Sequence, residues 1–180
     1  MRPADAVSSI VTDRLELVWM SPAFLQASLE GRMEDAAALV GVILPENWLE
    51  EHSRYWTEMR IKQMANTPDV APWLLRAMVR REDRRMVGYI NFHGAPNDKG
   101  QAELGYTVFE SERRRGYATE AALAMMGWAQ QEHDVRRFLL SISPTNQPSL
   151  GLAAKLRFQL IGSQIDEIDG EEHVFELVLP

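Results

Sequence analysis

The residues whose types and spacing could do chemistry lie in the run ELGYTVFESERRRGYATEAA, residues 103–122. A β-rich segment ends near Phe109 and a short polar turn follows. Arg113, Arg114, Arg115, Gly116, Tyr117, Ala118 and Thr119 then lead into an alanine-rich helical stretch. The first N–H groups of a helix have no partner inside it, and they carry the positive end of the aligned peptide dipoles. A diphosphate can settle there and accept several of them together. Gly116 lets the backbone approach such an anion, and Ala118 keeps the entrance narrow. The three arginines add charge or, alternatively, point into solvent. Other chemistries are thinly supplied. The chain has no cysteine, which excludes disulfides, a thiol nucleophile and Cys-ligated zinc. His52, His93, His133 and His173 are scattered, and no spacing among them suggests a metal site, so none is expected.

The elements around this run follow from periodicity. Residues 12–19 alternate apolar and polar and predict a strand. Ser21 and Pro22 predict a capped helix start, running to about Gly31. Residues 46–64 read as a longer helix, with Trp48, His52, Tyr55, Trp56 and Met59 at helical spacing. Residues 73–79 and 86–92 form an expected hairpin around a charged turn at 80–85. GAPNDKG at 94–100 is a turn, and 103–109 is the next strand. Residues 116–132 give the clearest helix, with Ala118, Ala121, Ala122, Met125, Trp128 and Ala129 as one apolar stripe. A strand follows at 137–143, and then a helix at 147–156 with Asn146 as its cap. Strands at 158–165 and 173–179 flank an acidic turn at 166–172.

No repeat, linker or low-complexity tract divides residues 1–180, so one domain is expected. The order β-α-α-β-β-β-α-β-α-β-β predicts an α/β fold. It is a mixed, mostly antiparallel twisted sheet of about six or seven strands, flanked on both faces by about four helices. Apolar residues make up 46%, enough for a sizeable core at this length. The net charge of −7 weighs against a nucleic-acid partner and favours a cationic one. No apolar run reaches the roughly 20 residues that span a bilayer, so no membrane partner is expected. The N-terminus lacks the layout of a signal peptide, and with the absence of cysteine this leads to an expected cytoplasmic location.

The motif Arg113-x-x-Gly116-x-Ala118 resembles the signature of the GNAT superfamily of N-acetyltransferases. The wider phrase Glu103-x-Gly105-Tyr106, with Gly116-Tyr117-Ala118-Thr119-Glu120-Ala121 after it, is similar to the branch that acetylates ribosomal-protein N-termini. Asp13-Arg14-Leu15-Glu16-Leu17 resembles that branch's first strand. Asn146-x-x-Ser149 with Lys155-Leu156-x-Phe158 resembles its fourth-helix pattern. The likeness covers nearly the whole chain in the right order. Three positions depart from it. Arg114 stands where many members have glycine, Arg157 replaces the glycine of Leu-Gly-Phe, and Ala153 stands where some members carry a tyrosine that protonates the departing thiolate.

The resemblance implies a splayed central strand pair with acetyl-CoA in the gap. The pantetheine arm would pair with the backbone at Tyr106, Thr107, Val108 and Phe109, and the diphosphate would lie on the loop from Arg113 to Thr119. Asn146 and Ser149 would touch the arm, and a backbone N–H near Val108 would polarise the acetyl carbonyl. The acceptor amine must lose a proton to attack. Glu103 is the candidate base, directly or through a water, with His93 as the alternative and Ser143 as a group that orients the thiolate or amine. The aromatic stripe at 48–59 is open between core packing and the acceptor wall. The implied activity is acetyl transfer to a primary amine, a peptide N-terminus or a small molecule, with a homodimer compatible. The alternative is a catalytically silent coenzyme A-binding sensor or scaffold.

Overall fold

The computed structural model describes residues 7–46, 48–49 and 51–180, the side chains of Glu51 and His52 apart. The strands are β1 (Ile10–Val11), β2 (Leu15–Trp19), β3 (Arg76–Arg80), β4 (Met86–Phe92), β5 (Gln101–Val108), β6 (Arg137–Ile142), β7 (Gln159–Asp166) and β8 (Gly170–Val178). The helices are α1 (Pro22–Leu29), α2 (Met33–Val40), α3 (Glu51–Asn66), α4 (Tyr117–His133) and α5 (Gln147–Lys155). Short 3-10 turns lie at Pro68–Trp73 and Glu110–Glu112. One sheet holds the strands in the order β1-β2-β3-β4-β5-β6-β8-β7. Every pairing between these strands is antiparallel except β5 with β6, which α4 joins as a crossover.

The architecture follows the expected class, with eight strands and five α-helices among the described residues against about six or seven and about four expected. The expected strand at 12–19 is broken. The Thr12 backbone N–H donates to Leu15 O at 2.8 Å and its hydroxyl accepts from Leu15 N–H at 2.9 Å, a local turn that separates β1 from β2. The strand expected from 73 begins at Arg76, because Pro68 and Pro72 hold residues 68–73 in a 3-10 turn. The helix α2 was not expected. Its N-cap, Arg32, makes no side-chain cap bond, so its start carries no sequence signal. The helix expected from 46 begins at Glu51 with Trp48 ahead of it. Residues 47 and 50 and the His52 side chain lie outside the described residues.

Two cores flank the sheet. On one face α4 lays Ala121, Ala122, Met125 and Ala129 over Leu15, Leu17, Met78 and Ile90. On the other, α1 and Trp48 pack over Ala77, Val79 and Met86. The strict alternation along β3, Met78 to one side and Ala77 and Val79 to the other, is what a sheet covered on both faces requires. Each fully buried Leu, Phe or Met here contributes about 1.5–3 kcal/mol. Among the described residues no helix is long and apolar enough to cross a membrane.

One feature of the sheet positions the site. β5 and β6 pair only at Gln101↔Arg137, Ala102↔Phe138 and Glu103↔Leu139. Beyond that point β5 follows β4 as far as Val108, while β6 follows β8 as far as Ile142. A wedge opens between them with its apex at Glu103 and Leu139, which is the expected splayed pair.

Candidate active site

Glu103 stands at the apex. Its Oε1 accepts from Ser141 Oγ at 2.6 Å and lies 3.6 Å from His93 Nδ1. His93 follows β4, and its backbone N–H donates to Glu103 O at 2.8 Å. Arg60, buried on α3, donates to His93 O at 3.0 Å and to Gln63 Oε1 at 2.7 Å. Burial pushes the Glu103 carboxyl up, but His93, Ser141 and the charge of Arg60 together outweigh it and hold the group below the usual carboxylate range. Glu103 is therefore an ionised carboxylate at neutral pH. Gly105, two residues along β5, makes room for the imidazole: a Cβ there would sit 2.8 Å from His93 Nε2.

A second chain of contacts leaves the apex through the last hairpin. Gln164 Nε2 donates to Ser141 Oγ at 3.2 Å and to Glu172 Oε2 at 3.0 Å. Burial, with Asp166, Asp169 and Glu103 nearby, pushes the Glu172 carboxyl up against the opposing bond from Gln164. Asp166 is held down by the backbone N–H groups of Asp169 and Ile168. This hairpin gives the cleft an acidic wall.

The other end of the wedge is the tip of α4. Its N-cap, Gly116, sits at φ +82° and has no side chain to cap the first-turn N–H groups of Tyr117, Ala118 and Thr119. Arg113 Nε donates to Val108 O at 3.1 Å, and Arg115 lies 3.4 Å from Glu112. Arg114 is exposed and adopts φ +63°, so the position where many relatives of this pattern have glycine does need a left-handed backbone. The Tyr117 ring is buried beneath the Arg14 guanidinium, 4.9 Å from it, so only its backbone belongs to the loop. Arg14 NH1 also donates to Arg115 O at 2.8 Å.

Between the two ends runs the β5 edge from Leu104 to Val108, unpaired on the side facing β6. Leu104, Tyr106 and Val108 pack toward the α4–α5 core, while Tyr89, Asn91, His93, Glu103 and Thr107 line the cleft toward α3. Phe109 turns away to meet Tyr89, with ring centroids 6.3 Å apart. Across the gap Asn146 caps α5, its Oδ1 accepting from Ser149 N–H at 3.2 Å, and both residues line the cleft. Ser143 lies just past β6 and pairs with Thr145 Oγ1 at 3.0 Å, so Ser141 rather than Ser143 reaches Glu103. The cleft has a volume of about 610 Å³. Two polar atoms on its lining residues are buried without a hydrogen-bond partner: Trp48 Nε1 and the Tyr106 hydroxyl. Trp48 and Trp56 line the cleft, whereas Tyr55 is exposed. Ala153 is fully buried and offers no donor. Among the described residues no three His, Asp or Glu gather as a metal would need.

Sequence reasoning passed over Arg60, Ser141, Gln164 and Glu172. Ser141 had a signal: Phe138, Leu140 and Ile142 share the core face of β6, which leaves Ser141 on the face that carries Glu103.

A family model described as an acetyltransferase (GNAT) domain matches residues 14–159. The uncharacterised N-acetyltransferase YjdG of Bacillus subtilis (strain 168) is 30% identical over 106 residues, 59% of this chain and 61% of that protein. The chain thus spans less than two thirds of the length of the curated relatives it matches. A solved acetyltransferase from Salmonella typhimurium that modifies the N-terminal serine of ribosomal protein L7/L12 superposes with a TM-score of 0.65 at 17% identity, covering 96% of this chain and 100% of that one. The microcin C7 self-immunity acetyltransferase MccE, solved with acetyl-CoA and AMP, gives 0.66 at 15%, covering 97% and 99%. These likenesses concern the fold. The matched family model covers most of the sequence and takes in both the wedge and the α4 tip, and the chain belongs to the acetyltransferase (GNAT) domain family.

Proposed function

We propose that the protein moves the acetyl group of acetyl-CoA to a primary amine, and that the amine is the α-amino group of a peptide or protein. The observation that carries this reading is the continuous path from the uncapped α4 tip, along the free edge of β5, to Glu103. The residues fit the substrate. The first-turn N–H groups at Gly116 suit a diphosphate. The unpaired β5 backbone suits the amides of the pantetheine arm, as an added strand would. Asn146 and Ser149 face that edge from α5. When bound, acetyl-CoA supplies the activated acetyl group, and a backbone N–H near Val108 would polarise its carbonyl.

The acceptor follows from basicity. Glu103 is held below the usual carboxylate range and is a weak base. At pH 7 an α-amine with a pKa near 8 is neutral in about one molecule in ten, whereas a lysine-type amine near 10.4 is neutral in about one in 2,500. A weak base acting through a water, with His93 beside it, suffices for the first and is poorly matched to the second. The acidic hairpin wall of Asp166 and Glu172 draws the protonated amine toward the cleft. The fold likeness to ribosomal-protein acetyltransferases supports the same branch.

A thiol-release assay with acetyl-CoA tests this, run against peptides with free or blocked N-termini and against small diamines. Turnover confined to free peptide N-termini is expected. Turnover on the diamines or on side-chain lysines alone would overturn the acceptor class. Tight coenzyme A binding with no turnover on any amine would leave a binding module instead.

A further inference from the structure

We propose that the Tyr106 hydroxyl is the hydrogen-bond donor that holds the sulfur of coenzyme A as the acetyl group leaves it. This rests on the reading of acetyl-CoA as substrate. Tyr106 lies midway along the unpaired stretch of β5 and lines the cleft, and its hydroxyl is buried with no hydrogen-bond partner. Ser149 on α5 is close enough to favour the ionised phenol, yet the two groups do not meet hydrogen-bond geometry. A buried hydroxyl left unsatisfied costs about 1–3 kcal/mol in general, so its persistence beside an open cleft points to a partner that arrives with the ligand.

The two faces of β5 divide the work. Glu103 and His93 stand on the α3 side, where the amine must enter. Tyr106 stands on the α4–α5 side with Leu104 and Val108. A thioester lying in the wedge therefore has the proton acceptor on one side and the Tyr106 donor on the other. As the amine nitrogen bonds to the acetyl carbon, its proton passes to the base through a water. The carbonyl re-forms, the C–S bond breaks and the electron pair moves onto sulfur, where Tyr106 donates to it. The proton stays on the phenol oxygen. An ordinary tyrosine titrates near 10 and a thiol near 8.5, and burial pushes Tyr106 higher still, with Ser149 opposing. Complete transfer would run uphill, so Tyr106 acts as a donor to the thiolate, which takes its proton from solvent on release. Ala153, buried on α5, leaves no competing donor at the position where some relatives of this pattern carry tyrosine.

The test reads the thiol of bound coenzyme A by the ultraviolet absorbance of its thiolate across pH, in wild type and Tyr106→Phe. The spectral reading needs no acceptor, and kcat is read with the amine that turns over. Loss of the donor should raise the bound thiol's pKa by about one unit, a tenfold smaller thiolate fraction at a pH below it. Affinity for desulfo-coenzyme A, which lacks the sulfur, should stay within about twofold, while kcat falls about ten- to a hundredfold. An unchanged thiol pKa in Tyr106→Phe overturns the inference and leaves the acetyl-CoA reading standing. Equal loss of desulfo-coenzyme A affinity also overturns it, since Tyr106 would then be a binding wall. Failure of wild type to bind desulfo-coenzyme A overturns the acetyl-CoA reading itself. Should Tyr106→Phe not fold, a fluorinated, more acidic tyrosine at 106 keeps the ring, and it must lower the bound thiol's pKa; no change sinks the proposal.

Discussion

Arg14 grips both oxygens of Glu120: its backbone N–H reaches Oε1 at 2.9 Å and its Nε reaches Oε2 at 2.7 Å. Thr12 adds a 2.6 Å bond to the same Oε1, and Arg14 NH1 holds Arg115 O at 2.8 Å. The start of β2 is thereby fastened to the first turn of α4 and to the residue before Gly116. Arg14 is half exposed, and an exposed ion pair contributes only about 0–1 kcal/mol to stability. Its larger effect is on the loop. Arg14→Ala should leave the melting temperature within a few degrees of wild type but weaken coenzyme A binding about tenfold. Calorimetric titration beside a thermal melt separates the two effects. Unchanged affinity would show that Arg14 braces nothing the ligand uses.

The same brace has a pH signature. Burial pushes the Glu120 carboxyl up, but the bonds from Thr12 and Arg14 outweigh it and hold the group below its ordinary value near 4.5. A depressed carboxylate adds stability that is present above the unfolded-state value and is lost as pH falls through the folded-state one. The melting temperature of wild type should therefore drop as pH falls from about 4.5, and Glu120→Gln should remove part of that slope. Identical slopes in the two proteins would remove Glu120 from the acid-labile set.

Glu103 makes a parallel case for catalysis. With its carboxyl held below the usual range by His93, Ser141 and Arg60 against the cost of burial, kcat/KM should keep this group's contribution down to pH values below about 4.5. Glu103→Gln should lower kcat about a hundredfold with little change in the KM for acetyl-CoA. Ser141→Ala, which removes a 2.6 Å bond to the carboxylate, should move the acid limb upward. A rate limb in the neutral range that survives Glu103→Gln would assign the proton transfer to another group.

Gly105 tests the dyad without touching its members. A Cβ at 105 would meet His93 Nε2 at 2.8 Å and Asn91 Oδ1 at 3.5 Å, and the imidazole is nearly half exposed and free to swing aside. Gly105→Ala should therefore keep the fold, cost less than about 1 kcal/mol, and still cut kcat about tenfold by moving His93 off Glu103. The matching measurements are a denaturant titration and initial rates. Full activity with a displaced imidazole would demote His93 to a bystander.

How much of this was legible in the residues depended on range. The apolar stripe of α4 and the alternation in β6 declare themselves because local periodicity mirrors a one-sided core. The α4 tip was legible for the same reason: a glycine and an Arg cluster at a helix start have a local physical meaning. The wedge was reachable only through family likeness, since the loss of pairing after Glu103↔Leu139 is a relation between strands more than thirty residues apart. The acidic wall was misread as one long turn at 166–172. In fact β7 and β8 stay paired to Asp166↔Gly170, and this carries Glu172 back toward Ser141 through Gln164. Side chains of α3 such as Arg60 gave no signal, because helical spacing says which face a residue occupies and not which cleft that face borders.

The end of α5 supplies the last test, one of stability. Phe158 N–H bonds to Ala153 O at 2.9 Å and Arg157 N–H to Ala154 O at 3.0 Å, the paired closure that requires a left-handed residue between. Arg157 fills that position at φ +64° with an exposed side chain. A non-glycine residue there costs roughly 1–2 kcal/mol, whereas glycine costs about 0.5–1 kcal/mol through the entropy of the unfolded chain. The strain is the larger of the two, so Arg157→Gly should stabilise the fold by about 0.5–1 kcal/mol. That corresponds to a melting temperature about 1–4 °C higher for a domain of this size. Arg157→Ala keeps the left-handed strain and should show no gain, and neither change should alter coenzyme A affinity, because Arg157 lies beyond the end of α5 from Asn146 and Ser149. A lower melting temperature for Arg157→Gly than for Arg157→Ala would mean that the backbone at 157 is relaxed and that the helix closes by other means.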